Sequence, residues 1–157
     1  MRPSKLKLEH YNLISLHVEP VLDAPSPALG TYADLSNIDF GSTVQLGTMD
    51  LPNGEMRHTV ELKLEAEPNA DTPGFPYKLQ ITLVGVFDGR QLPEEKREAL
   101  VAVNGASMLY GVAREILLGL TSRAVQGAVM LPTVEFSQLA EQIKPAVVGP
   151  TDSPLKA

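Results

Sequence analysis

His58-Thr59-Val60-Glu61-Leu62-Lys63-Leu64-Glu65-Ala66-Glu67 decides the fold. Val60, Leu62, Leu64 and Ala66 alternate with Thr59, Glu61, Lys63, Glu65 and Glu67, and a period of two puts each set on its own face of a strand. One apolar face and one charged face belong to an antiparallel sheet with a wet side. Downstream, Pro68 to Pro76 reads as a turn region. Tyr77, Leu79, Ile81 and Leu83 then alternate with Lys78, Gln80 and Thr82 in a strand that runs to about Phe87, closed by the turn pair Asp88-Gly89.

Upstream, Pro52-Asn53-Gly54 marks a turn and Thr43–Leu51 a short strand. Leu6 to Val18 alternates as well. Leu6, Leu8, Ile14, Leu16 and Val18 share one parity, Leu13 breaks it, and Pro20 ends the strand. On that strand His10 and His17 are expected on opposite faces. A long connection, Val21 to Ile38, separates the first two strands; with Phe40 just beyond it, it carries enough apolar side chains to pack on something or to bind something.

After Asp88 the period changes. Pro93-Glu94-Glu95 opens a short helix that Asn104-Gly105 is expected to break. Leu109, Val112, Ala113, Ile116 and Leu120 form one stripe of a second helix, about Ala106 to Arg123, with Ser107 as its cap. Gly111 and Gly119 cost that helix about 1 kcal/mol each relative to alanine. Ser137–Lys144 reads as a short last helix. Strands first and helices second predict an α+β fold: a four-stranded antiparallel sheet with a long crossover after strand 1 and helices following on one face. The expected organisation is one domain over 1–148 and a flexible tail over 149–157.

Composition narrows the function. The chain has 157 residues, no cysteine, and a net charge of −6 from 13 basic and 19 acidic side chains. Thiolate metal sites, cysteine nucleophiles and disulfides are excluded. Phosphate neutralisation of nucleic acid is disfavoured. No apolar run follows the basic start as in a signal peptide, and none approaches the roughly 18 residues of a membrane span, so the chain is expected in the cytoplasm with no membrane insertion. There is no Walker loop, no dinucleotide fingerprint and no zinc-protease motif. His17-x-Glu19 puts two ligand types on one strand face, a pattern far commoner at solvated strand edges than in metal sites. Neither cofactor, metal nor catalytic residue is nominated. No Lys or Arg occurs between Lys7 and Arg57, a segment holding Glu9, Glu19, Asp23, Asp34, Asp39, Asp50 and Glu55. Such a segment reads either as a solvated acidic edge that aids solubility or as a surface that attracts basic segments and rejects nucleic acid.

Ser107-Met108-Leu109-Tyr110-Gly111-Val112-Ala113-Arg114-Glu115 resembles the opening of the long helix in the SecB export chaperones, where the pattern is Asn-Ile-Leu-Phe-Pro-Tyr-Ala-Arg-Glu. Leu120-Thr121-Ser122-Arg123 resembles that helix's end, Leu131-Pro132-Thr133-Val134-Glu135-Phe136 the segment before the last helix, and Gly85-Val86-Phe87 the end of the fourth strand. The likeness implies a holdase without nucleotide or reaction, a homo-oligomer built as a dimer of dimers, and unfolded polypeptides as clients. Client grooves in that family involve the crossover, the early strands and the last helix. The matching segments carry Leu22, Leu29, Tyr32, Leu35, Ile38, Phe40, Val44, Leu46, Phe136, Leu139 and Ile143. The long helix implies an oligomer interface through Leu109, Arg114 and Glu115. The family docks on the SecA translocase motor through acids on strands one and four. Here the fourth-strand positions hold Gln80 and Lys78, and those on strand one fall near Ile14 and Val18, with Glu19 one residue away. A dedicated partner of one protein, such as an antitoxin or a phage-encoded client, is the alternative role.

Overall fold

The computed structural model describes residues 3–25, 28, 30–33, 35, 38, 40–69 and 74–142. Strands β1 (Lys7–Pro20), β2 (Gly41–Asp50), β3 (Met56–Ala66) and β4 (Tyr77–Asp88) precede the helices α1 (Arg97–Thr121) and α2 (Leu139–Gln142). All strand pairs are antiparallel, in the order β1-β4-β3-β2. The fold is therefore the expected α+β arrangement. The crossover carries the chain from one edge of the sheet to the other.

Register shows how the core is built. Leu62 faces Leu83 and Leu64 faces Ile81 across β3 and β4, and Val44 and Leu46 of β2 continue the row beside Leu62 and Val60. These apolar side chains line the inner face, against which α1 packs over β2, β3 and β4. Burying each large apolar side chain contributes about 1.5–3 kcal/mol.

Two features differ from expectation, each for a physical reason. In β1 the register to β4 shifts between Leu8 and His10 and again between Leu13 and Ser15. Each β-bulge adds a residue and resets the alternation. Leu13 thus joins Leu16 and Val18 on the inner face, opposite Leu83, Ile81 and Leu79, while Ile14 lies at the bulge and is exposed. His10 and His17, opposite Val86 and Gln80, share the outer face rather than opposing one another. α1 does not extend over β1, and Tyr11 and Leu13 stay exposed although they point inward.

The second difference is α1 itself, one helix of 25 residues after a 3-10 turn at Glu94–Lys96. Asn104-Gly105 does not break it. A Cβ on Gly105 would sit 2.8 Å from Val60 Cγ2 and 3.2 Å from Phe87 Cζ, so glycine is what lets the helix backbone approach the sheet. Ser107 is no cap: mid-helix, its hydroxyl donates to the Val103 carbonyl. A Cβ on Gly111 or Gly119 would meet open space among the described residues, so no close approach requires glycine at either position.

Ion pairs lock the outer face at the β2–β3 turn. Arg57 Nε donates to Glu9 Oε1 at 2.9 Å and its Nη2 to Glu55 Oε2 at 3.0 Å. Arg90 holds Asp88 through Nε at 3.0 Å and Nη2 at 2.9 Å. Hydrogen bonds from Arg90 hold the Asp88 carboxyl well below the usual carboxylate range, and those from Arg57 lower Glu55. On the inner face, burial and then the Arg97 charge push the His58 imidazole below its ordinary value.

All three groups titrate at lower pH in the folded chain, so the unfolded chain takes up protons first and acid destabilises the fold. The His58 contribution is lost as pH falls below about 6.5, and that of Asp88 below about 3.8. The urea midpoint is expected to fall in these two stages. His58→Gln should remove the upper stage and Arg90→Gln should shrink the lower. A midpoint that stays flat from pH 7.5 to about 5 would contradict the placement of His58.

Candidate functional site

An open groove lies at the C-terminal end of α1, with a volume of about 560 Å³. The crossover forms one wall with Ala28, Gly30, Thr31 and Tyr32; Leu118 and Ser122 of α1 and then Ala124, Val125, Gly127 and Ala128 form the other. Among the described residues no lining side chain is charged. The depth comes from small residues, and the apolar relief from Leu118, from Tyr32 at 53 % exposure and from Val125 at 72 %.

The local sequence explains why the walls hold their shape. Gly30 and Gly127 adopt φ values of 82° and 81°, the left-handed region that glycine enters without strain. Thr31 donates its amide and its hydroxyl to the Ala28 carbonyl, closing a turn. Carbonyls at the end of α1 find donors: Thr121 Oγ1 donates to Leu117, Ser122 N to Leu118, Ser122 Oγ to Gly119 and Ala124 N to Thr121. These bonds satisfy acceptors that a helix end leaves free. Thr121 Oγ1 also accepts from Val129 N at 2.8 Å, which folds the connection back under the helix.

Four further bonds join the walls to each other and to the sheet. Ala33 N donates to the Ala128 carbonyl at 3.1 Å. Gln126 Nε2 donates to the Val21 carbonyl at 2.8 Å and to that of Leu22 at 3.3 Å. The Tyr77 hydroxyl donates to the Gly127 carbonyl, and burial raises its pKa, so it keeps its proton.

Of the residues expected to bind clients, Tyr32 lines this groove, and Leu22 lies exposed beside Gln126 at its edge. Leu35 and Phe136 are each 9 % exposed and belong to the core, where Phe136 meets Tyr110 edge-on at 5.7 Å. An aspartate at Leu35 would report on folding, not on binding. Ile38, Phe40, Val44, Leu46 and Leu139 are partly buried against the same core, with Phe40 set edge-on to Phe75 at 6.4 Å. Leu29 and Ile143 lie outside the described residues, as does the segment 149–157. Among the residues expected at an oligomer interface, Leu109 is fully buried beneath the sheet and offers no surface; Arg114 is half-buried and Glu115 exposed.

Sequence reasoning missed Leu118, Ala124, Val125, Gly127 and Ala128. The available signal was Ala124-Val125-Gln126-Gly127-Ala128, a run of small and apolar residues after a helix end, where a polar turn is the usual choice.

A second, polar cavity of about 440 Å³ opens beside His17, Glu65, Glu67, Lys78 and Gln80. His17 lies 3.3 Å from Glu19, and Lys78 lies 4.0 Å from the same carboxylate. Among the described residues no cluster of three His, Asp or Glu side chains is arranged to hold a metal.

Comparison with known proteins places this geometry. No curated protein matches the chain. Among solved structures, the Mycobacterium tuberculosis Rv1957 SecB-like chaperone, in complex with a ChAD peptide from the Rv1956 HigA1 antitoxin, is 18 % identical, covers 82 % of this chain and 90 % of its own, and superposes with a TM-score of 0.53. A Streptococcus agalactiae protein of unknown function is 12 % identical over 82 % of this chain and 97 % of its own, with a TM-score of 0.41. The model of the family described as preprotein translocase subunit SecB matches residues 36–146, more than half of the sequence. The chain belongs to the SecB family.

Proposed function

We propose that this chain is an ATP-independent chaperone that holds unfolded polypeptide segments in the groove between the crossover and the end of α1. The observation that carries the reading is the groove itself: open, lined among the described residues by small and uncharged side chains, and tied together by hydrogen bonds rather than filled by its own side chains. Capture needs no reaction. A client's apolar side chains leave water on entering, worth about 25 cal/mol per Å² buried, and the protein releases them unchanged.

Each groove alone binds weakly, so several copies of the chain strengthen capture by avidity. The proposed oligomer is a dimer of dimers. Exposed Tyr11 and Leu13 on β1, and the open space beside Gly111 and Gly119 on α1, support contacts between copies. The chain works in the cytoplasm in this reading; among the described residues no helix is long and apolar enough to cross a membrane.

The SecB-like chaperone of Mycobacterium tuberculosis holds a peptide from an antitoxin, which supports a polypeptide client here. Export through the SecA motor is the less favoured use. Gln80 and Lys78 stand where the family carries docking acids, and Glu19 is already engaged by His17 and Lys78. A dedicated role toward one protein, such as an antitoxin, is the second reading.

Size-exclusion chromatography with light scattering tests both. A mass near four chains that co-elutes with a chemically unfolded client is the expected result. An oligomer that ignores generic clients favours the dedicated role, and a monomer without client contradicts the proposal.

A further inference from the structure

The groove's two walls come from segments about a hundred residues apart in sequence, and only two direct links between them are seen among the described residues. One is the backbone bond from Ala33 to Ala128. The other is a side chain: Gln126, 3 % exposed, whose Nε2 reaches the carbonyls of both Val21 and Leu22. The lining residues Ala28, Gly30, Thr31 and Tyr32 are bracketed by these two links. We propose that Gln126 is the positioning residue of the groove, fixing the crossover wall at the distance from α1 at which a client segment fits. This rests on the reading of the groove as the client site.

The chemistry explains why an amide is needed. Two carbonyl oxygens converge on one nitrogen, and a primary amide supplies two N–H donors without charge. The turn those carbonyls belong to is otherwise held by Val21 N on the Pro76 carbonyl and Ala24 N on the Val21 carbonyl, neither of which reaches the connection after α1. Without Gln126 the crossover wall keeps its own turns but loses its tie at this end. The binding-competent arrangement then becomes one of several, and apparent affinity drops by the fraction of time it is populated.

The test uses the full chain and a fluorescent, reduced and carboxymethylated ribonuclease as a permanently unfolded probe. Gln126→Met keeps the volume and burial but removes both donors. It should weaken binding about tenfold, as expected if the competent state falls to roughly a tenth. Leu6→Ala is the control: Leu6 is a core residue outside the groove, and its truncation lowers the melting temperature without moving affinity. Gln126→Glu adds a readout that a purely structural role would not move. As a carboxylate it repels the two carbonyls; protonated, it donates again. Its affinity, taken relative to the unaltered chain, should therefore recover as pH falls from 8 to 5.5, while that of Gln126→Met stays constant.

Equal affinity of Gln126→Met and the unaltered chain would overturn the inference, as would a loss matched by Leu6→Ala at equal stability. An unaltered chain that binds no probe is a distinct result: it overturns the groove reading itself and the inference with it.

Discussion

Replacing Tyr32 and Val125 together with aspartate is expected to lower the affinity for an unfolded polypeptide at least about tenfold while leaving the melting temperature nearly unchanged. Both side chains line the groove, and both are more than half exposed, so neither holds the core together. Surface substitutions of this kind usually shift stability by no more than about 0.5 kcal/mol. Burial of each apolar side chain under a client is worth about 1.5–3 kcal/mol, and 1.4 kcal/mol is a factor of ten in affinity. The aspartates also place negative charge in a groove whose described lining residues carry none. Fluorescence anisotropy with a labelled unfolded client reads the affinity, and thermal unfolding reads the fold. Unchanged affinity in this double variant places the client elsewhere.

The second large effect concerns the helix that carries one wall. Gly105→Leu is expected to prevent folding or to lower stability by about 3 kcal/mol or more. The new Cβ alone would lie 2.8 Å from Val60 Cγ2, and both Val60 and Phe87 are fully buried with no room to turn aside. The helix must lift away from the sheet, uncovering the apolar row around Leu62 and Leu83. For a domain of this size each 1 kcal/mol is worth about 2–4 °C in melting temperature, so a loss of about 6 °C is the smallest expected signal. Gly119→Ala is the matched comparison. It lies on the same helix but faces open space, and alanine there should stabilise the chain by about 1 kcal/mol. A Gly105→Leu chain that melts like the unaltered one would contradict the close approach of helix and sheet.

Gly105 also illustrates which parts of the fold were legible. In a sequence it signals a weak helix, because glycine's entropy cost is local and visible. Its benefit is tertiary: Val60 and Phe87 sit 45 and 18 residues away, and nothing near Gly105 announces them. The alternation in β3 and β4 was readable because a regular strand writes its two faces directly into its sequence. β1 misled for the opposite reason. Its bulges after Leu8 and Leu13 each reset the count, so Leu13 lies with Leu16 and His10 with His17.

The groove was half legible. Apolar residues in a long crossover announced that it packs or binds, but not which residue does which. Leu35 completes the core while Tyr32, three residues earlier, opens to solvent. The difference is set by partners brought in from far along the chain, Ala128 and Gln126 among them. The family likeness was carried by the α1 sequence from Ser107 to Glu115, whose Leu109, Tyr110 and Ala113 are buried against the rest of the fold. Core-facing residues of this kind are packed on every side, which leaves a recognisable pattern in the sequence.

The most direct measurement maps where a client touches the chain. Because the chain has no cysteine, single cysteines can be introduced at Val125 and Tyr32, and at His10 on the outer face of the sheet, each tethered to a short photoactivated crosslinker. Illumination with an unfolded client should give crosslinks from positions 125 and 32 and little from position 10. Crosslinking that is strongest from the outer face, or equal at all three positions, would contradict a client site between the crossover and the end of α1.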